Sequence, residues 1–391
     1  MLVPAHNEEA VIFDSVTDFN NLSYDRSLYD IYVICDNCTD STVDICRNNH
    51  FKYIDTSENL FVRKGVGKPG ALQYAMEYLS DNGEFKNYDM TVILDADNLV
   101  DRNFLVELNS QYVSKHHPEA IQVYLDSKNT KAFLSLGYAE SYWTMNRFFQ
   151  LAKYRLGLPN SIGGTGYAVK NSWLEDNNGF ISKSLTEDLE MEIRIVESNG
   201  KILWNHFTRI YDEKPTRLKA SLVQRTRWCK GHWYTAFHNF VPLTVLAIKK
   251  HDWKYVDQLN YLFSMRQNFV VVLLIVITVL NFFSGIFSGL SGNELVSDVS
   301  TTFSSFFVPK TGLNLAILLY GFIPYIYGYC ADSRNPITVY RIGKSVLAIL
   351  FFSITYYFSQ LAGLFTFKNQ LVWKHTAHSV TLSKSSVTTK K

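Results

Sequence analysis

Four short clusters in this chain combine residue types that do chemistry on charged, oxygen-rich substrates. Asp95-Ala96-Asp97 follows the apolar run Thr91–Leu94. Two carboxylates one residue apart face opposite sides of a strand, but where the strand ends and the chain turns, both can reach one site. Hard divalent ions are commonly held by one or two carboxylates plus diphosphate oxygens. Asp95 and Asp97 are therefore candidate ligands for Mg2+ or Mn2+, which would neutralise a departing diphosphate. An acidic turn at a strand end is also ordinary without any metal. Thr186-Glu187-Asp188 opens a helical stretch. A carboxylate there can face a cleft and act as a base toward an attacking hydroxyl, which makes Asp188 and Glu187 catalytic candidates. Plain helix capping is the competing reading.

The third cluster, Gly65-Val66-Gly67-Lys68-Pro69-Gly70, fits G-x-G-x-x-G. It does not directly follow a strand, as a dinucleotide fingerprint must. The better reading is a loop that brings Lys68 and a helix N-terminus to phosphate. The fourth, Gln224-Arg225-Thr226-Arg227-Trp228, puts an amide, two guanidinium groups and an indole on one helix. Arg can clamp a diphosphate bidentately and Trp can stack on a ring or pack in a core. The five cysteines, Cys35, Cys38, Cys46, Cys229 and Cys330, are odd in number and scattered. That is no disulfide framework, so a reducing compartment is the simpler expectation. Cys35 closes an apolar run where a small thiol packs well, and no second CxxC supports a zinc site.

These clusters need elements to position them. Short apolar runs at Tyr29–Cys35, Phe51–Ile54, Met90–Leu94 and Ala120–Leu125 read as strands. Amphipathic stretches at Glu8–Asn20, Asp40–Asn49, Pro69–Leu79 and Arg102–Ser114 read as helices between them. The alternation predicts an α/β fold, a mostly parallel sheet with helices on both faces, and such sheets bind ligands at the carboxyl ends of their strands. Asp36-Asn37 and Asp95-Ala96-Asp97 fall there. Met1-Leu2-Val3 reads as a strand cut short at its start. Farther on come a long aromatic stretch, Ala132–Leu156, a Gly-rich turn, Ile162–Gly166, and helices over Thr186–Asn199, with Thr186 as N-cap, and Arg217–Tyr234.

The 391 residues allow two to three modules at roughly 150 residues each. A net charge of +2 without long basic runs gives no reason to expect a nucleic-acid partner. Three long uncharged runs, Phe269–Leu290, Thr311–Cys330 and Ser345–Phe367, are each long enough for a bilayer core of ~30 Å. Phe237–Ile248, too short to span and followed by Lys249 and Lys250, suits an interfacial helix. The expected organisation is a head over 1–234, an interfacial amphipathic segment over 235–266, a transmembrane region of about three helices over 267–368 and a basic polar tail over 369–391.

Taken in order, the clusters resemble the membrane-integrated family 2 glycosyltransferases, the group of the hyaluronan, chitin, cellulose and poly-N-acetylglucosamine synthases. The resemblance rests on Pro4-Ala5-His6-Asn7-Glu8-Glu9, Asp36-Asn37-Cys38-Thr39-Asp40-Ser41-Thr42, Gly67–Leu72, Asp95–Asp97, Thr186–Asp188 and Gln224–Trp228. It implies a GT-A fold and inverting, metal-dependent transfer from a UDP-sugar of glucose or N-acetylglucosamine type to a growing polysaccharide. Pro4, His6, Asn7, Glu8 and Asp36 would contact the base and ribose of the donor, and Lys68 would lie near it. Asp95 and Asp97 would meet its diphosphate and metal. Asp188 would be the base, and Gln224, Arg227 and Trp228 would hold the diphosphate and the acceptor end. Gly164 and Thr165 would line the acceptor site, where the sequence departs from the better-known synthases. Transfer of one sugar to a lipid-linked acceptor is the alternative, and a nucleotide-binding membrane transport or scaffold protein is the rival of another class. Nucleotide sugars put the head in the cytosol of a multi-pass protein in contact with membrane lipid. Arg334, Arg341 and Lys344 then agree with the positive-inside rule. Three crossings, however, would put the basic tail outside.

Overall fold

In the computed structural model, residues 1–265 and 311–370 are described. The run 269–290 and the tail beyond 370 lie outside them. The chain begins β1 (Leu2–Ala5), α1 (Ile12–Asn20), β2 (Tyr32–Cys35), α2 (Thr42–Asn48) and β3 (Tyr53–Asp55). It continues α3 (Lys68–Asp81), β4 (Met90–Ile93), β5 (Leu99–Val100), α4 (Phe104–Ser114) and β6 (Ala120–Ser127). Next are α5 (Phe133–Met145), a π-helical turn over Asn146–Gln150, α6 (Leu151–Leu156), β7 (Tyr167–Lys170) and α7 (Asn171–Asp176). Then follow α8 (Glu187–Glu197), β8 (Ile202–Asp212), α9 (Leu218–Lys250), α10 (Trp253–Leu262), α11 (Thr311–Asp332) and α12 (Val339–Thr366).

The eight strands form one sheet in the order β3-β2-β1-β4-β7-β6-β8-β5. The half from β3 to β4 is parallel, as alternation of strand and helix requires. β7 then enters antiparallel to both β4 and β6, and β5 closes the edge antiparallel to β8. The sheet is therefore mixed, and the expectation of a mostly parallel one holds for its first half. The inversion at β7 has a use. An antiparallel strand begins where its parallel neighbours end, so the Gly163–Gly166 turn before β7 arrives at the same edge as the tails of β1, β2 and β4. Helices cover both faces. Ile12, Val16 and Phe19 of α1, Cys46 of α2 and Phe104 of α4 bury one face. Leu72 and Ala75 of α3, Leu174 of α7, Ile193 and Val196 of α8 and Ala236 of α9 bury the other. This is the α/β, GT-A-type arrangement.

Two expectations about the second half change. The helix carrying the Gln224–Trp228 cluster does not stop near Tyr234. It runs unbroken to Lys250 with Pro242 inside it, so the boundary placed at 234 falls within one helix, and the segment expected over 235–266 comprises the end of that helix and α10. Its outer side exposes Phe237, Phe240, Val241, Val245 and Ile248. Among the described residues, α12 alone meets the length and apolarity for crossing a membrane. Yet it packs along α9 and α5, with Ala348, Ile349, Phe352 and Gly363 turned inward.

Candidate active site

The carboxyl ends of β1, β2 and β4, the start of β7, the start of α8 and the inner face of α9 surround one cavity of about 370 Å³. Its floor begins with Pro4, Ala5, His6 and Glu8. Asn7 is not among the lining residues. Its amide oxygen instead accepts from the backbone N–H groups of Thr39 (2.7 Å) and Asp40 (3.3 Å), which pins the loop after β2, and its φ of 57° suits an Asn in the left-handed region. His6 Nδ1 lies 2.6 Å from the carbonyl of Asp36. The Asp36 carboxylate accepts from Thr56 Oγ1 (3.1 Å) and from both terminal nitrogens of Arg63, one at 2.8 Å. Sequence reasoning did not single out Arg63. In the fold Gly70 leaves room for it, because a Cβ at that position would stand 3.2 Å from an Arg63 nitrogen and 2.5 Å from the Gly65 carbonyl oxygen.

Lys68, the first residue of α3, crosses the cavity. Its ammonium donates to Asp95 Oδ1 (2.5 Å) and to the carbonyl of Gly164 (2.6 Å). Burial works against that charge, but the carboxylates of Asp95, Glu187 and Asp188 outweigh it and hold Lys68 above the ordinary lysine value. Asp97 is buried. Its carboxylate accepts from the Glu213 N–H (2.8 Å) and from Asn98 Nδ2 (3.2 Å). Asp212, pushed up to about 6 by burial, with Lys214 opposing and Asp97 and Asp95 adding, lies alongside. Among the described residues no three His, Cys, Asp or Glu side chains are grouped as ligands of one ion. Asp95 and Asp97 nevertheless offer hard oxygen donors at a cavity edge where carboxylates outnumber ammonium groups. That suits a divalent cation whose remaining ligands are substrate oxygens.

Opposite stands Asp188 in the first turn of α8. Thr186 holds the N-cap position but makes no side-chain capping bond, while Asp188 Oδ1 accepts from the Leu189 N–H at 2.8 Å, so side-chain capping does not hold Thr186. α9 fixes it instead, since a Cβ on Gly231 would stand 2.6 Å from the Thr186 side chain. The Asp188 carboxyl is pushed up to about 7 by burial and by the Glu187 carboxylate, with the Leu189 N–H and Lys68 opposing. A carboxyl held near neutrality beside open space is poised for proton transfer. Gly164, at φ 81°, passes so close that a Cβ there would sit 3.1 Å from Asp188 Oδ2. The base candidate and the Gly-rich turn therefore share one wall, with Thr165 tied to the Asp95 N–H at 3.0 Å.

α9 supplies the third side. Gln224, Arg227 and Trp228 line the cavity, and the edge of Trp228 meets Tyr138 at a centroid distance of 6.3 Å. Arg225 turns away. It is fully buried and donates to the Phe352 carbonyl and Thr355 Oγ1 of α12, both at 2.9 Å. The cavity is also lined by the aromatic and apolar side chains of Tyr142, Tyr261, Met265 and Tyr356. None of these carried a sequence signal beyond the general aromatic content of the chain. The arrangement can hold a diphosphate among cations, a metal beside Asp95 and Asp97, and a hydroxyl against Asp188.

Comparison with known proteins agrees with this geometry. A family profile described as glycosyltransferase like family 2 matches residues 1–231. The chain is similar to the beta-monoglucosyldiacylglycerol synthase of Nostoc sp., at 26% identity over 59% of this chain and 48% of that one. It is also similar to the poly-beta-1,6-N-acetyl-D-glucosamine synthase of Staphylococcus epidermidis, at 22% identity over 62% and 56%. The chain spans about half the length of the curated relatives it matches. Among solved structures, the Pyrobaculum calidifontis mannosyltransferase in complex with GDP-Man and Mn2+ aligns over 92% of this chain and 86% of that one, at 15% identity and a TM-score of 0.49.

Proposed function

Since the chain belongs to glycosyltransferase like family 2, we propose that it transfers a hexosyl unit, of glucose or N-acetylglucosamine type, from UDP to a growing polysaccharide at the membrane, with inversion. The observation that carries this reading is the position of Asp188. It is half-buried in the cleft with its carboxyl held near neutrality, one wall away from the Lys68–Asp95 pair. In the reaction the acceptor hydroxyl gives its proton to the ionised Asp188 carboxylate as its oxygen bonds to the anomeric carbon, and the bond from that carbon to the diphosphate breaks. Inversion follows because base and leaving group lie on opposite sides of the reacting carbon. Arg227 and Lys68 pair with the departing diphosphate. Pro4, His6, Glu8 and Asp36 face the nucleoside end, with Asp36 fixed by Arg63. Gly164, Thr165 and Trp228 face the acceptor. Asp95 and Asp97 would hold Mg2+ or Mn2+, which when bound neutralises diphosphate charge.

A second acceptor reading has its own observation. Tyr356 of the apolar helix α12 lines the cavity, and one relative is a beta-monoglucosyldiacylglycerol synthase. A lipid-borne hydroxyl fits that approach, and one sugar would then be added. We place the head in the cytosol of a multi-pass membrane protein, with the outer face of α9 at the lipid surface.

Incubating membranes that carry the full chain with labelled UDP-glucose and UDP-N-acetylglucosamine, and sizing the product, tests these readings. A long water-soluble polymer supports the first, and a single-sugar product that partitions into organic solvent supports the second. Asp188→Asn should lose at least about 10²-fold in kcat while still binding UDP, the scale expected for a lost general base. Near-normal transfer by that variant would sink the mechanism. Chelator should abolish transfer and Mg2+ or Mn2+ restore it, whereas full activity in chelator would remove the metal from the scheme.

A further inference from the structure

The mechanism above leaves one buried carboxylate in the site region without a task. Glu192 lies one helical turn beyond Asp188 on α8, the same face by the i, i+4 rule, and is fully buried. It collects donors from three places. Gln258 of α10 donates to Oε1 at 2.6 Å, the hydroxyl of Ser161 at 3.4 Å, and the backbone N–H of Ile162 donates to Oε2 at 3.0 Å. Ser161 and Ile162 open the segment that continues into Gly163-Gly164-Thr165, the wall facing Asp188. Two other buried side chains hold the rest of it. Gln150, in the π-helical turn, brackets Ser161 from both backbone groups at 2.7 and 3.1 Å. Gln122 accepts from the Gly163 N–H at 2.8 Å and donates to the carbonyls of Thr165 and Gly166 at 3.0 Å. Of the three, only Glu192 sits on the helix that bears the base. A buried carboxylate is costly unless several donors meet it, and a neutral residue would have sufficed to fill the space.

We infer that Glu192 is a positioning residue for transfer: it couples the Ser161–Gly164 wall to the Asp188 helix, so that the acceptor hydroxyl meets the base at a fixed distance. This rests on the proposed role of Asp188. The charged and titratable groups around the pair are Glu187, Lys68, Tyr142 of α5 and Tyr167 of β7 beside Asp188, and Lys153 of α6 and Tyr261 of α10 beside Glu192. Asp257 pairs with Lys153 at 2.8 Å. Burial pushes the Glu192 carboxyl up to about 7, with Lys153 and the Gln258, Ile162 and Ser161 donors opposing, and its ionised form repels a proton-free Asp188.

Glu192→Gln keeps the volume but turns an amide NH2 toward one of the donors and removes the charge. In the purified full chain we expect kcat to fall about tenfold, the cost of a slightly misplaced wall. The dissociation constant for UDP should stay within about twofold, because the donor end is built from other elements. The acid limb of the pH profile of kcat/KM should move to lower pH by about half a unit, as loss of a nearby like charge requires. A variant with wild-type kcat and an unmoved acid limb overturns the inference. So does one that loses UDP affinity in step with kcat, since that is the mark of a general loss of structure. If Glu192→Gln does not accumulate as folded protein, Gln258→Leu loosens the same carboxylate without removing it. A lower kcat at unchanged UDP affinity then supports the assignment, and an unchanged kcat overturns it. Asp188→Asn run in parallel separates the two readings: an active Asp188→Asn defeats the proposed base, whereas an inactive one beside an unaffected Glu192→Gln defeats only this inference.

Discussion

Two guanidinium groups two positions apart, Arg225 and Arg227, have unrelated jobs. At 100° per residue they point about 200° apart around α9. Arg227 lines the cavity, while Arg225 is sealed among Tyr138, Phe352 and Tyr356 and satisfies a carbonyl and a hydroxyl of α12. Their substitutions should separate cleanly. Arg227→Ala should weaken UDP binding and transfer with little change in melting temperature. Arg225→Ala should lose about 2–4 kcal/mol of stability, from a cavity and two stranded acceptors. Thermal melts in detergent beside UDP titrations check the pair, and equal melting losses in both variants would contradict the assignment. The motif was legible from its residue types on one helix, and most of its neighbours because they follow a strand or open a helix. Arg63 was not legible, since its partner Asp36 is 27 residues away and meets it only once β2 and α3 are packed. The bonds of Asn7 to the loop after β2 were not legible for a similar reason. A donor-site motif and a loop pin look alike until Thr39 and Asp40 fold back onto it.

Among the elements, the parallel half of the sheet followed from alternation of strand and helix, and the other half did not. β7 has four residues and β5 two, too short for a periodic signal. β8 runs over Ile202–Asp212, but its register against β6 shifts between Val123 and Tyr124, and Phe207 is exposed within it. That breaks the two-residue period on which sequence reading depends. The helical half turns on close approach. A Cβ on Gly363 of α12 would lie 2.5 Å from the Cys229 Cβ and 2.9 Å from its carbonyl carbon. Gly363→Ala must therefore push α12 off α9 at the turn next to Arg227 and Trp228. We expect a loss of about 1–3 kcal/mol, the usual cost of overpacking, together with reduced transfer. Gly343→Ala, on the same helix with nothing within 4 Å of the new methyl, should be neutral or mildly stabilising. Matched melts of the two variants decide whether this contact is what seats the helix.

At the scale of the whole molecule, the two ends of α12 decide how the apolar region sits. Just before it, Asp332 is held by Arg147 and by Arg209 (2.8 Å), Arg209 also pairs with Asp126 (3.0 Å), and Arg334 donates to the Ser127 carbonyl. Just after it, Gln370 accepts from the Leu185 N–H at 2.8 Å and donates to the Lys230 carbonyl at 3.2 Å. A helix of 28 residues is about 42 Å long. If it crossed a bilayer, its far end would leave the head by ~30 Å or more. Here both ends are bonded to the head, so α12 lies along it. Its outer side carries Tyr340, Leu347, Phe351, Ile354, Phe358 and Phe365, exposed at helical spacing. That stripe suits a helix set in the membrane plane. It also removes the conflict raised by three crossings, because the loop at Arg334 and the end of α12 then share the side of the head. The test is labelling. A single added cysteine at Lys368 and one at Lys64 in the head should react with a membrane-impermeant maleimide from the same face of sealed vesicles, measured against the chain without either change. Reaction of the Lys368 position only from the opposite face would show that α12 crosses.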